Sequence, residues 1–354
     1  MSGTVLDLTL PPSLAGERLD AAIARAAPQL SRARVQKLLA AGHVTVAGRA
    51  PRPAARVKGG EAVHVELPAP EPTDAIAQDL PLAVLHEDRD VVVLDKAAGM
   101  VVHPARGSPH STVVNALLHR LAGVGAAAGP RLGLVHRLDK DTSGCLAVAR
   151  TDAALVSLQA QWKARTVEKV YLALCHGVPA AEGRLDTPYG RHPRDRTRYT
   201  GRQASAGGLG RRAVTAWRVL ERFGDRAALL EVRLETGRTH QIRVHLAEAG
   251  HPLLADAVYG GTRREARLTP DDPVRLAAAA AGRQALHAAR LAFDHPRTGR
   301  RLSLEAPLPA DLAGALALLR TGAAPPAAGA SAPAGVTGRA RGRAAPPRRP
   351  TRAS

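Results

Sequence analysis

The sequence predicts an α+β fold: a mixed, largely antiparallel sheet with flanking helices, preceded by a small α/β unit. Three observations point there. Apolar stretches of strand length recur at irregular spacing, with scattered amphipathic helical stretches among them. Neither a strand–helix–strand rhythm nor an internal repeat runs through the chain, which argues against a doubly wound sheet or a solenoid. A proline-rich, acidic stretch at 68–81 (PAPEPTDAIAQDLP) breaks the pattern as a linker would.

The elements follow in order. Residues 1–12 read as an N-terminal extension, 13–68 as the small unit, 69–81 as the linker and 82–320 as the main domain. In the small unit a helix starts at Ser31 as N-cap, carries Val35, Leu38 and Leu39 on one face and stops at Gly42. A short strand over 43–46, a turn at Ala47-Gly48 and a second strand over 62–67 complete it. In the main domain strands are expected over 90–94, 132–138, 145–149, 167–175, 213–220 and 227–234. Helices are expected over 111–121, over 151–162 with Thr151 as N-cap, and over 240–249, closed by Gly250. Residues 321–354 are nearly all Ala, Gly, Pro, Ser, Thr and Arg, a composition that cannot bury a core and reads as a disordered basic tail.

Composition narrows the function. The 354 residues carry 50 Lys+Arg against 31 Asp+Glu, a net charge of +19, and the tail holds only six of the arginines. A surplus of this sign favours polyanions through counterion release from phosphates. With two Phe, two Trp and four Tyr there is no broad stacking platform for single strands. Two cysteines make neither a disulfide framework nor a four-thiolate zinc site. Without a bilayer-length apolar run or a secretory leader pattern, the expected location is the cytoplasm. On the small unit Arg18, Arg32, Arg34 and Lys37 form a basic set with few acids between them, suited to phosphate contact.

Three clusters could carry chemistry. The densest, His136-Arg137-Leu138-Asp139-Lys140-Asp141-Thr142-Ser143-Gly144, is a polar turn between two apolar stretches. Its Asp139, Asp141 and Ser143 spacing matches the opening of a calcium loop, but Arg150 stands where the bidentate Glu is required. Asp141-Thr142-Ser143-Gly144 has an aspartic-protease look, yet that chemistry needs a second carboxylate copy, and there is none. A single carboxylate acting as nucleophile or base remains. In the second cluster, Thr236 to His245, His240 and His245 are five apart with no Glu between, which disfavours a metal helix. The third, Arg191-His192-Pro193-Arg194-Asp195-Arg196-Thr197-Arg198-Tyr199, is a basic loop with one aromatic, suited to nucleic acid.

Residues 136–144, HRLDKDTSG, closely resemble the signature of the pseudouridine synthases that modify large-subunit ribosomal RNA and some tRNAs. Four further stretches agree in order: Val93-Leu94-Asp95-Lys96 with Gly99 and Val102-His103-Pro104; Lys169 to Leu174; Thr236 to Leu254; and Leu286 to Pro296. The unit at 13–68 is similar to the alpha-L RNA-binding domain often attached to these enzymes. The chain departs from the family's usual residues at Ala97 (Pro), Ala255 (Gly) and Ala47 (Asn). The resemblance implies isomerisation of uridine in RNA, with the N-glycosidic bond broken, the uracil turned while bound and the sugar rejoined through carbon. It implies Asp139 as the catalytic aspartate, Arg243 as its ion-pair partner and Tyr171 as the ring against the target base. It implies neither metal nor cofactor, and large-subunit ribosomal RNA before tRNA as substrate. Arg137, Arg191, Arg194, Arg196 and Arg198 are then the expected contacts that offset the cost of pulling the base from its stack. A non-catalytic RNA binder and a uracil-releasing glycosylase are the rival readings.

Overall fold

The computed structural model describes residues 4–30, 32–52, 55–67, 75–104, 108, 110–121, 133–195, 197–202 and 210–322. In the small unit, β1 (Thr4–Thr9) is followed by α1 (Leu19–Ala26), α2 (Arg32–Ala40), β2 (Val44–Val46) and β3 (Ala62–Leu67). The sheet order is β1-β3-β2, all antiparallel. Val35, Leu38 and Leu39 of α2 pack with Leu19 and Ile23 of α1 over Val63 and Val65, as their spacing requires. Gly42 takes φ +80° and closes α2 through its N–H to the Leu39 carbonyl. Ser31 lies outside the described residues. Residues 4–9 depart from the reading as an extension: they pair along the whole of β3. Their Val5-Leu6-Asp7-Leu8 alternation is a strand signal, but only β3, over fifty residues away, reveals its partner.

The main domain runs β4 (Ala83–Glu87), β5 (Val91–Lys96), α3 (Val113–Arg120), β6 (Ser143–Ala149), α4 (Asp152–Ala164), β7 (Glu168–His176), β8 (Glu182–Arg191), β9 (Tyr199–Thr200), β10 (Arg211–Phe223), β11 (Ala227–Leu234), α5 (Gln241–Glu248), α6 (Gly261–Glu265), α7 (Pro273–Ala281), β12 (Leu286–Asp294), β13 (Arg301–Glu305) and α8 (Ala310–Thr321). Its ten strands order as β4-β5-β6-β12-β7-β11-β10-β8-β9, with β13 beside β12. Among the described strands every pairing is antiparallel except β6 with β12. Period-two alternation sends Val92, Leu94, Leu146, Val148, Tyr171 and Leu230 to the face covered by α3 and α5. Val91, Val93, Cys145, Ala147 and Phe293 go to the face covered by α4. Leu174 and Ala227 meet α7 and α8. Every residue of β6 is therefore buried, which is why it reads as an unbroken apolar run.

Of the strand expected over 132–138, residue 132 lies outside the described residues and 133–138 are not a strand. Among its described residues only Leu134 forms a bridge, to Val148. Strand β6 is flanked by β5 along one edge and by β12 at Ser143 and Gly144 of the other, so the incoming chain has only a short free edge to pair with. There the Gly133 carbonyl accepts the Ala149 N–H and the His136 Nε2 accepts the Ala147 N–H at 2.9 Å. An imidazole thus stands in for a ladder carbonyl, and the backbone leaves the sheet to carry Asp139. Burial holds His136 down to a pKa of about 3, which keeps that nitrogen an acceptor.

Candidate active site

The turn at 139–142 sits where β6 emerges beside β12. Ser143 pairs with His287 and Gly144 with Ala288; the Ser143 hydroxyl is 2.9 Å from His287 Nδ1. Gly144 has φ +110°, and a Cβ there would lie 2.3 Å from the Ala288 carbonyl oxygen, so the last residue of the HRLDKDTSG stretch has to be glycine. Two cations, the buried Lys96 and the half-buried Arg283, hold the turn. Lys96 Nζ donates to the carbonyls of Ala97, Met100 and Lys140 at 2.7–2.9 Å. Arg283 donates to the Asp141 carbonyl at 2.8 Å, to Ser143 Oγ at 3.1 Å and to Asp311 on α8 at 2.7 Å. Burial lowers the Lys96 pKa to about 8.

Asp139 emerges from this turn with its side chain 17% exposed, and Arg243 Nη1 donates to its Oδ2 at 3.2 Å. The same guanidinium makes a fork to Asp256, Nε to Oδ2 at 2.7 Å and Nη2 to Oδ1 at 3.0 Å. Asp256 is fully buried and also accepts the N–H groups of Val258 and Tyr259. Burial alone would raise its pKa, but the Arg243 fork and those N–H groups bring it below the ordinary carboxylate value. One arginine, fixed by one aspartate, presents a remaining N–H to another.

A cleft of about 800 Å³ opens at Asp139. Its lining includes His240 and Arg243 beside the carboxylate, and also Tyr171, Arg137, Arg165 and Lys169. Tyr171 is buried on β7, which raises its pKa. Burial, with Arg165 adding to it, lowers Lys169 to about 8. The other three tyrosines gather at the same end. Tyr189 donates to the Thr239 carbonyl at 2.6 Å, Tyr199 stacks on Tyr189 at 5.9 Å, and Tyr259 lies under Arg243 at 5.2 Å. An aromatic-poor chain spends all four tyrosines here.

The structure thus brings Asp139, Arg243 and Tyr171 into one cleft, with Arg137 exposed among its lining residues. Arg191 lies over the Tyr199 ring at 5.0 Å and Arg198 over Tyr259 at 5.1 Å, while Arg194 is exposed. Arg196 lies outside the described residues. On the small unit Arg18 and Arg32 both pair with the buried Asp20 at 3.0 Å, Arg34 is half-buried and Lys37 exposed. Sequence reasoning missed Asp256, Arg283 and Tyr259. A buried arginine requires a buried anion, but nothing in the local pattern says that it comes thirteen residues on. Among the described residues one group could hold a metal ion, Asp88, Asp90 and His295, and it is engaged internally: Asp88 with His86 and His295, Asp90 with Arg297.

Residues 90–248 match the family model described as RNA pseudouridylate synthase, and residues 17–63 match the S4 domain model. The chain is 44% identical over 322 residues to the ribosomal large subunit pseudouridine synthase D of Xanthomonas campestris pv. campestris, covering 90% of itself and 94% of that relative. It is 44% identical over 316 residues to the protein of the same name from Nitrosomonas europaea, covering 89% and 88%. Among solved structures, human RNA pseudouridylate synthase domain containing 4 aligns with a TM-score of 0.51 and 27% identity over 67% of this chain and 93% of that one. Human RNA pseudouridylate synthase domain containing 1 aligns at 0.50 and 25%, over 71% and 99%.

Proposed function

Because this chain belongs to the RNA pseudouridylate synthase family and is an isomerase, a pseudouridine synthase, we propose that it acts on uridines of large-subunit ribosomal RNA through Asp139. The observation that carries the reading is the Asp139 carboxylate, held by Arg243 in a cleft that also contains Tyr171. In the reaction the C1′–N1 bond breaks and its electron pair leaves with the uracil. The electron-poor C1′ then lies beside the Asp139 oxygens. After the ring turns, C5 gives a π pair to C1′, the C5 proton is lost and N1 gains one, so the formula is unchanged. Arg243 keeps the carboxylate oriented, and Tyr171 supplies a ring face for the base. The names of the relatives favour large-subunit ribosomal RNA over tRNA as substrate.

We assign the chemistry to residues 82–320 and RNA presentation to 13–68, now with β1 added, through Arg18, Arg32, Arg34 and Lys37. Arg137, Arg191, Arg194, Arg196 and Arg198 are assigned to phosphate contacts that offset base extrusion, which costs a few kcal/mol. The tail beyond residue 322 lies outside the described residues. Among those described, no helix is long and apolar enough to cross a membrane; we assign the work on RNA to the cytoplasm. Pseudouridine mapping of ribosomal and transfer RNA, with and without the protein, tests the substrate. Asp139→Asn is expected to abolish product while RNA binding persists; product at the wild-type rate would refute the role of Asp139. A wild-type protein that binds RNA without isomerising it would favour a binding protein, and free uracil as product would favour a glycosylase.

A further inference from the structure

We infer that His240 is a further catalytic residue, its Nε2–H donating a hydrogen bond to the uracil carbonyl beside the breaking C1′–N1 bond. The inference rests on Asp139 being the reacting carboxylate. His240 lines the same cleft, 22% exposed, and its Nε2 lies 4.0 Å from Asp139 Oδ1. That separation is too long for a hydrogen bond, and no described residue takes one from this nitrogen. The other nitrogen is committed. Nδ1 is 2.9 Å from the Tyr259 hydroxyl, and that oxygen already accepts the Tyr199 N–H at 3.0 Å. Nδ1 is the one described acceptor within reach of the hydroxyl hydrogen, which goes there, and the imidazole proton stays on Nε2, facing the cleft.

The ring is also fixed in space. Tyr199 and Tyr259 meet it edge-on at 5.8 and 5.6 Å. Its backbone has φ +59°, a left-handed conformation that is unfavourable for a residue other than glycine. Such a conformation persists only where the surroundings over-determine it, and functional sites are where these residues gather. Burial lowers the His240 pKa, which leaves the neutral ring as the prevailing form near pH 7. The departing base needs a donor of its own, and His240 Nε2 is the cleft donor that lies nearest the carboxylate without being committed to it. Asp139 and Arg243 serve the sugar side. As C1′–N1 breaks, the electron pair on N1 delocalises onto the adjacent carbonyl, and a preset N–H beside the carboxylate meets that charge where it develops.

The test compares single-turnover rates on an unmodified large-subunit ribosomal RNA transcript and on the same transcript made with 5-fluorouridine, followed as loss of the parent nucleoside. Fluorine stabilises the departing anion by itself, so a leaving-group donor matters less on that substrate. His240→Phe keeps the ring and deletes the donor. It is expected to slow uridine turnover about 10²-fold, with RNA affinity unchanged and the loss reduced at least fivefold on the fluorinated RNA. His240→Gln, which returns an N–H at a similar reach, is expected to recover most of the rate. A His240→Phe rate within threefold of wild type, an equal loss on both RNAs, or a loss confined to RNA affinity would overturn the inference. Should that variant fail to fold, Tyr259→Phe, which frees the imidazole proton, is expected to show the same substrate-dependent loss, and an equal loss on both RNAs would count against it. The role of Asp139 stands or falls separately, on Asp139→Asn.

Discussion

At the level of single residues, the site depends on how one guanidinium is divided. Arg243 gives two N–H groups to Asp256 and one to Asp139, a geometry that an ammonium cannot reproduce. Arg243→Lys is therefore expected to lose at least 10²-fold in turnover. It should also destabilise the fold by about 3 kcal/mol, because Asp256 loses part of its buried pairing. Single-turnover kinetics and urea unfolding on the same preparation check both. The cluster at 136–144 was legible because a polar turn between apolar stretches stands out in the sequence, and the family resemblance implied Asp139 within it. Asp256 was not, because its pairing depends on how α5 meets the following loop.

Two of the elements carry strain at positions where the chain departs from its family. Ala47 and Ala255 replace the usual Asn and Gly, and both adopt positive φ, +46° and +56°. The family residues tolerate that conformation; alanine does so at a cost. Ala255→Gly is expected to raise stability by about 0.5–1 kcal/mol, the relief of strain being partly offset by the freer unfolded chain. The converse holds at Gly144. Gly144→Ala meets the Ala288 carbonyl at the parallel β6–β12 junction and should cost about 3 kcal/mol, visible as a lowered urea midpoint. Elements with contrast between faces, such as α3, α4 and β11, were readable from periodicity. Helix α7 is PVRLAAAAA, and alanine offers too little contrast to mark a face. β8 was missed because it is largely exposed and carries glycine and proline near the sheet edge. The segment 132–138 misled because apolar content does not say whether a neighbouring strand has a free edge.

Across the whole molecule, buried and half-buried histidines set the response to acid. Burial lowers His136 to about 3 and His245 to about 4, and lowers His240 and His287 as well. Below the ordinary histidine value of about 6.5 the unfolded chain takes up protons that the native state refuses, so stability falls as the pH drops toward 4. Below about 3.8, Asp20 and Asp256, whose pKa values are depressed, add to the loss as the unfolded carboxylates protonate first. Urea midpoints at pH 7.5, 6, 5 and 4 should decline steadily; a flat profile would contradict this. The division of Arg243 has a last consequence. Two carboxylates share one guanidinium, Asp139 in the cleft and Asp256 buried behind it, leaving one negative charge in excess, whereas Arg137, Lys163, Arg165, Lys169 and Arg238 outnumber Glu235 in the rest of the lining. A nucleotide taken up as the proposed function requires would be sorted by polarity, its phosphodiester held by the cationic lining and only the uncharged sugar and base brought against Asp139.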